Sequence, residues 1–100
     1  PATEAGRLRM GVAQLRFDAK QYDQAAAGFE QVIAADPNNL DALVLLAETR
    51  NLQNRPADAL PLLQKAIQLR TAQGQQVPES WHQRATALAF NNKLPGAAQV

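Results

Sequence analysis

The feature that most constrains the fold of this chain is a repeat in which residues 34 positions apart have side chains of similar size. Five pairs show it: Val12 and Leu46, Ala13 and Ala47, Ala25 and Ala59, Phe29 and Leu63, and Ile33 and Ile67. A fixed period of this length predicts stacked copies of one supersecondary unit. One such unit cannot bury its apolar face alone, so neighbouring copies have to supply the core.

A third copy follows the second at a spacing of 38. Four pairs carry it: Ala47 and Ala85, Leu52 and Phe90, Asn54 and Asn92, and Ala59 and Ala97. The additional residues fit the polar segment Gln73–Gln76, where an insertion between stacked units is tolerated. We therefore expect residues 1–100 to form a single repeat domain with units at about 6–39, 40–77 and 78–100. The third unit is cut in its second helix, which favours a longer array.

Composition and periodicity indicate that these units are helical. Alanine, leucine and glutamine are abundant and are good helix formers, whereas alternation of period two is not sustained anywhere. Breakers divide the chain into predicted helical blocks at 3–19, 22–35, 40–52, 56 or 58 to about 69, 79–90 and 94–100. We expect Asn38 or Asn39 to cap the third block through its side-chain oxygen. The predicted fold class is all-α.

The start of the fourth block and the end of the fifth are less constrained than the other boundaries. If Asp58 caps the fourth block, Pro61 falls in the first helical turn, where its missing N–H costs little. The alternative is a helix that begins at Pro56. The pair Asn91–Asn92 is expected to end the fifth block.

The spacing and the residues together resemble the tetratricopeptide repeat, a helix–turn–helix unit with this same period. The matching residues are Ala13, Tyr22, Ala25, Phe29 and Pro37 in the first copy, Leu43, Leu46, Ala47, Ala59, Leu63 and Ala66 in the second, and Trp81, Ala85 and Ala97 in the third. Arg16 and Arg50 depart from the pattern where an aromatic is usual, and Thr71 replaces the proline that ends the unit. The resemblance implies a right-handed α-solenoid of antiparallel helix pairs, with about two and a half repeats.

The resemblance also implies a protein-interaction scaffold that binds a peptide in a concave groove lined by the first helix of each unit. It places these residues in the groove: Arg7, Met10, Gln14 and Phe17, then Asp41, Val44, Glu48 and Asn51, then His82 and Thr86, with Glu79 and Phe90 beside them. Some members of the family hold a peptide's C-terminal carboxylate with Lys and Asn side chains, and that set is missing here. Glu48 would repel a carboxylate at close range. We therefore predict an extended or helical ligand with apolar anchors and a basic residue opposite Glu48.

Two other interpretations remain open at this point. The array could mainly assemble with copies of itself, or with the rest of its own chain, through the apolar end that a truncated third unit leaves. Alternatively, the groove is simply solvated, since a fold by itself does not establish a function.

The residues that catalysis or metal binding requires are few in this chain. Cysteine is absent, which excludes disulfides and thiolate ligands. One histidine, His82, with scattered acids does not supply the three or four ligands of a zinc site. Ser80 lies two residues from His82 and therefore points to a different helix face, so no catalytic triad is predicted. We expect no catalytic, metal or cofactor site and hence no enzymatic activity.

Charge and hydropathy narrow the range of partners. The net charge is +1, and the mildly basic first helix is too narrow a patch for a nucleic-acid interface. No run of about 18 apolar residues exists, so membrane insertion is not expected. The partners that remain as candidates are another protein, a peptide or a second copy of the chain. The alanine- and glutamine-rich composition favours a bacterial origin, with the cytoplasm or the periplasm as the compartment.

Overall fold

The computed structural model describes the backbone of residues 2–93 and the side chains of residues 4–91. The backbone forms α1 (Ala2–Asp18), α2 (Tyr22–Ala35), α3 (Leu40–Leu52), α4 (Pro56–Ala72) and α5 (Glu79–Lys93). Residues 2–93 contain no β-strand, which confirms the all-α prediction. The sixth predicted block, at 94–100, lies outside the described residues.

Most helix boundaries follow the breakers in the sequence. Both α2 and α3 have the predicted bounds. Asn39 caps α3, because its side-chain Oδ1 accepts a hydrogen bond of 3.0 Å from the backbone N–H of Ala42. This bond satisfies one of the N–H groups that the first turn of a helix leaves without a partner.

Two boundaries differ from the prediction or decide between its alternatives. Because α4 begins at Pro56, Asp58 is not its cap and instead pairs with Nε of Arg55 at 2.7 Å. This helix also continues past the predicted end near residue 69. The predicted break at Asn91–Asn92 is wrong, since α5 runs through it to Lys93. Asparagine lowers helix stability by less than about 1 kcal/mol per residue, so two of them do not end a helix.

The helices pack in chain order, α1 on α2, α2 on α3, α3 on α4 and α4 on α5. The molecule measures 46 × 34 × 19 Å, and its smallest dimension is about two helix diameters. Buried alanines lie at the contacts within each pair, Ala13 and Ala25 between α1 and α2, and Ala47 and Ala59 between α3 and α4. The result is a stack of helix pairs two layers thick.

The turn inside each helix pair is built in the same way at equivalent positions of the two repeats. Lys20 and Asn54 both have a positive φ, of 64° and 63°. The residue after each donates a backbone hydrogen bond of 2.8 Å to the carbonyl five positions earlier, Gln21 to Arg16 and Arg55 to Arg50. The repeat seen in the sequence is therefore also a repeat of backbone geometry.

Two apolar clusters hold the stack together, and each joins more than one helix pair. The first comprises Ala13, Ala25, Ala26, Phe29 and Leu46, and the second comprises Ala47, Ala59, Leu63 and Leu88. Leu46 belongs to α3 although its cluster is centred on α1 and α2, and Leu88 belongs to α5. Phe29 is fully buried and shares the first cluster with Leu46 of the following unit.

A polar network lies at the edge of the α2–α3 contact, where Arg50 replaces the aromatic usual in the resembling family. Nη1 of Arg50 donates to Oε1 of Gln53 at 3.0 Å, and Nη2 pairs with Oε1 of Glu30. Nε2 of Gln53 donates in turn to Oδ1 of Asp23 at 2.6 Å. Because Glu30 is half exposed, the ion pair contributes at most about 1 kcal/mol. Its main effect is to fix the position of α3 against α2.

The inserted segment between α4 and α5 is held by Arg70. Its Nε donates to the carbonyl of Gln76 at 2.9 Å, and its guanidinium lies over the ring of Trp81, 5.5 Å from the centroid. Such cation–π contacts contribute about 0.5–1 kcal/mol at exposed sites. Trp81 is also partly buried against the second apolar cluster. These contacts set the position of α5 on α4.

The crossing of α1 and α2 provides a test of how tightly the pairs pack. A Cβ added at Gly28 would lie 2.8 Å from Cβ of Ala13, whereas one added at Gly11 meets no atom within 4 Å. Alanine normally stabilises a helix interior by about 1 kcal/mol relative to glycine, but overpacking costs about 1–3 kcal/mol. We expect Gly28→Ala to lower the free energy of unfolding and Gly11→Ala to raise it, as measured by urea denaturation. Equal stabilisation by both would contradict a close crossing.

Candidate functional site

The residues predicted to line one groove are found in three recesses, two of which share Ala87 and Asn91. Arg7, Met10, Gln14 and Asp41 line a recess of about 590 Å³ beside α1 and the α2–α3 connection. Val44, Glu48 and Asn51 line a cleft of about 250 Å³ between α3 and α5. His82 and Thr86 lie on the exposed face of α5, together with Glu79 and Phe90. Whether these residues bind a ligand stays a prediction.

Phe17, also predicted for the groove, lies apart from these three places. Its half-buried ring packs against the first apolar cluster and meets Tyr22 edge to face, with 5.7 Å between the ring centroids and 67° between the planes. Aromatic pairs favour this geometry. Phe17 therefore contributes to the packing of the turn between α1 and α2, and its part in the groove stays a prediction.

The cleft between α3 and α5, called the central cleft below, has an apolar floor and a polar rim. The floor consists of Ala47, Leu63 and Leu88, all buried. Four polar side chains form the rim: Glu48, Asn51, Arg84 and Asn91. Ligand sites typically combine an apolar lining with a few polar groups that fix orientation.

The size of the central cleft limits what it can hold. Pockets for whole small molecules measure about 300–1,000 Å³, and a cavity of about 150 Å³ accommodates a benzene ring. At about 250 Å³, the central cleft fits one or two side chains of a larger ligand. It is thus better suited to an anchor residue of a protein segment than to a cofactor.

An ion pair spans the central cleft between α3 and α5. Oε2 of Glu48 lies 3.4 Å from Nη1 of Arg84, and both side chains are a third to a half exposed. A pair of this kind contributes at most about 1 kcal/mol, so solvent or a ligand can replace either partner. The sequence predicts a basic residue of the ligand opposite Glu48, and in the structure Arg84 of the chain itself stands there.

The sequence alone does not point to Arg84 as part of the site. In the register that relates the third copy to the second, it corresponds to Leu46, which is buried in the first apolar cluster. One signal could have identified Arg84. It is a charged residue at a register position where the preceding copy has an apolar, buried residue. The side chain of Arg84 reaches Glu48 only because α5 is placed against α3 and α4 in the way that the structure shows.

The polar groups of α5 beside the central cleft are arranged differently. Oγ1 of Thr86 donates to the backbone carbonyl of His82 at 2.9 Å, so its proton is used within the helix. The imidazole of His82 is exposed. Among the side chains that the structure describes, no three of His, Asp or Glu lie close enough together to hold a metal ion. None of the five helices is both long and apolar enough to cross a membrane.

Comparison with known families decides what kind of chain this is. The family model of the tetratricopeptide repeat matches residues 16–77, more than half of the 100 residues. The chain belongs to the tetratricopeptide repeat family. Domains of this family are typically non-catalytic and generally mediate protein–protein interactions. A comparison with curated proteins finds no match.

The matched part of this tetratricopeptide repeat chain includes both of the equivalent turns, at Lys20 and Asn54. It ends before α5, which begins at Glu79. The central cleft therefore combines α3 and α4, from within the match, with α5, which follows it. Its composition is a property of this chain rather than of the matched repeats alone.

Proposed function

We propose that this tetratricopeptide repeat chain is a non-enzymatic module that binds a segment of a partner protein, and that the central cleft receives an apolar anchor of that segment. The observation that carries the proposal is the apolar floor of buried Ala47, Leu63 and Leu88 inside a rim with both signs of charge. Burial of an apolar side chain there supplies affinity, and the rim supplies orientation.

The charges of the rim favour a partner segment with a charged residue next to the anchor. A basic side chain would replace Arg84 beside Glu48, and an acidic one would pair with Arg84. The recess beside α1 has the same combination, because half-buried Met10 lines it together with Arg7 and Asp41. An extended or helical segment could fit both the central cleft and this recess if it carries one apolar anchor for each of them.

Selection of peptides from a random display library on the immobilised chain tests the proposal. We expect Val44→Asp to weaken binding of the selected peptides more than about tenfold, because an unpaired charge beside an apolar anchor costs about 1–3 kcal/mol or more. The matched control is Gln64→Asp, since Gln64 is exposed on α4 and lines none of the recesses described above. Peptides that bind both variants as well as the unchanged chain would place the site elsewhere.

The charge preference of the selected peptides gives an independent prediction. Glu48→Lys places two cations at the rim, so peptides with a basic residue beside the anchor should bind about fivefold more weakly. Fluorescence anisotropy titrations at low and high salt measure this, and the difference should shrink as salt screens the charges. A loss of the same size for uncharged peptides would show that Glu48 acts through packing.

Self-association is a second candidate function, because Phe90 is 61 % exposed on α5. An exposed aromatic at one end of a stack can pack against a second copy. Light scattering over a range of concentrations distinguishes the two. A concentration-dependent dimer that Phe90→Asp abolishes would favour assembly, and a monomer at all concentrations would favour a partner protein.

A further inference from the structure

The outer face of α1 carries a stripe of exposed apolar side chains that the central cleft does not use. Leu8, Val12 and Leu15 are 69 %, 50 % and 70 % exposed, and their spacing places them on one side of the helix. A recess of about 520 Å³ between α1 and α2 adjoins this stripe and is also lined by Arg9 and Arg16. The stripe, the recess and the two arginines form one surface, called the α1 face below.

The equivalent face of the next repeat, on α3, shows what kind of element covers a surface like the α1 face. The residues one repeat after Leu8, Val12 and Leu15 belong to α3, and there they are buried. Their exposed fractions are 0 % for Ala42, 4 % for Leu46 and 0 % for Thr49. The helix α2 packs on α3, and its residue Phe29 shares an apolar cluster with Leu46. A second helix of the α2 type is thus the occupant that fits these register positions.

Charge complementarity points to the same kind of occupant. Arg50, the equivalent of Arg16 in the next repeat, binds Gln53 of its own helix pair through Nη1 and Glu30 of α2 through Nη2. Arg16 also donates through Nη1 within its own pair, but to Gln24 of α2, because the repeat equivalent of Gln53 is Ala19. The equivalence of Arg16 with Arg50 favours a carboxylate of an adjacent helix as a further partner of Arg16.

The shape of the recess agrees with an apolar anchor on that helix. Gly28 lines its wall and has no side chain to fill it, and Ala13 and Ala27 are the other small residues there. The corresponding residue of α4 is Leu62, which packs against both apolar clusters. The recess therefore has room for a large apolar side chain of an incoming helix.

We propose that the α1 face is a docking site for an amphipathic helix that carries an acidic residue in register with Arg16, in the way that α2 docks on α3. The stripe of Leu8, Val12 and Leu15 contacts the apolar side of that helix. Arg16 fixes its register through the carboxylate. This surface lies on a different side of α1 from the residues assigned to ligand binding above, so it does not depend on the central cleft.

The test uses a synthetic peptide with the sequence of residues 21–36, acetylated and amidated, because this segment contains the helix that covers the corresponding face of α3. Isolated helices of this length are marginal in water, so the peptide is titrated to millimolar concentrations into the isotope-labelled full chain. Amide shifts in NMR spectra should concentrate in α1 and in the residues of α2 that line the recess. Val12→Asp should weaken binding more than about tenfold, since it places a charge in the apolar contact. The matched control Phe90→Asp, on α5, should not change it.

A charge exchange tests the register. Arg16→Glu should weaken binding about fivefold, and a peptide with Glu30→Lys should restore it with this variant alone. Circular dichroism should show native helix content for Val12→Asp, because Val12 is half exposed. Peptide binding that Val12→Asp leaves unchanged, or shifts confined to α3, α4 and α5, would overturn the proposal. So would a dimer of the chain alone that Val12→Asp abolishes, because the occupant would then be a second copy.

Discussion

The substitution Phe29→Ala is expected to lower the free energy of unfolding by about 3–5 kcal/mol, the range for removing a buried aromatic ring. Phe29 is fully buried in α2 and shares a cluster with Leu46 of α3, so the cavity would lie between two helix pairs. Urea denaturation followed by circular dichroism measures the change. The matched control is Phe90→Ala, at an exposed position, which should change the free energy by no more than about 0.5 kcal/mol.

The size of this effect is large against the total stability of a domain, about 5–15 kcal/mol. A partly unfolded Phe29→Ala variant is therefore compatible with the expectation, and the loss is then measured as a shift in the midpoint of thermal unfolding. A loss from Phe29→Ala no larger than that from Phe90→Ala would contradict a core shared between α2 and α3.

The second large effect is expected for Leu63→Ala, which should lower the free energy of unfolding by about 2–5 kcal/mol. Leu63 of α4 is buried with Ala47, Ala59 and Leu88, so it joins the α3–α4 pair to α5 and forms part of the floor of the central cleft. The control is Leu15→Ala, because Leu15 is exposed on α1. Stability at the control position should change little.

Where the stability is lost in Leu63→Ala is as informative as how much. In a stack, each helix pair contacts only its neighbours, so the damage should remain local. Amide hydrogen exchange should accelerate most in α5 and α4, and less in α1. An equal acceleration in all five helices would indicate one cooperative bundle in place of a stack.

The sequence predicts the stacking well because side chains of similar size recur at equivalent positions of the repeats. Alanine at 13, 25, 47 and 59 allows close crossings, and the breaks at Asp36 and Asn54 are formed by residues whose local preferences agree with the fold. The same spacing also carries the shared turn geometry at Lys20 and Asn54. Local preference and packing indicate the same structure in this part of the chain.

The candidate site is harder to predict because it depends on the placement of α5. The segment between α4 and α5 is held by Arg70, which contacts both Gln76 and the ring of Trp81. These contacts help to position α5, which carries Arg84, and no periodicity in the sequence predicts them. The contact between Phe17 and Tyr22 is equally hard to predict, because it depends on the turn between α1 and α2 and not on the spacing of the repeats.

The most direct test of the central cleft as a binding site is an NMR titration of the isotope-labelled chain with a peptide selected on it. We predict that the amide signals which shift most belong to α3 and α5, around Val44, Glu48 and Arg84, and that Val44→Asp abolishes the shifts at the same peptide concentration. Shifts confined to α2 and α4, or shifts in α3 and α5 that persist in Val44→Asp, would contradict the assignment of this cleft.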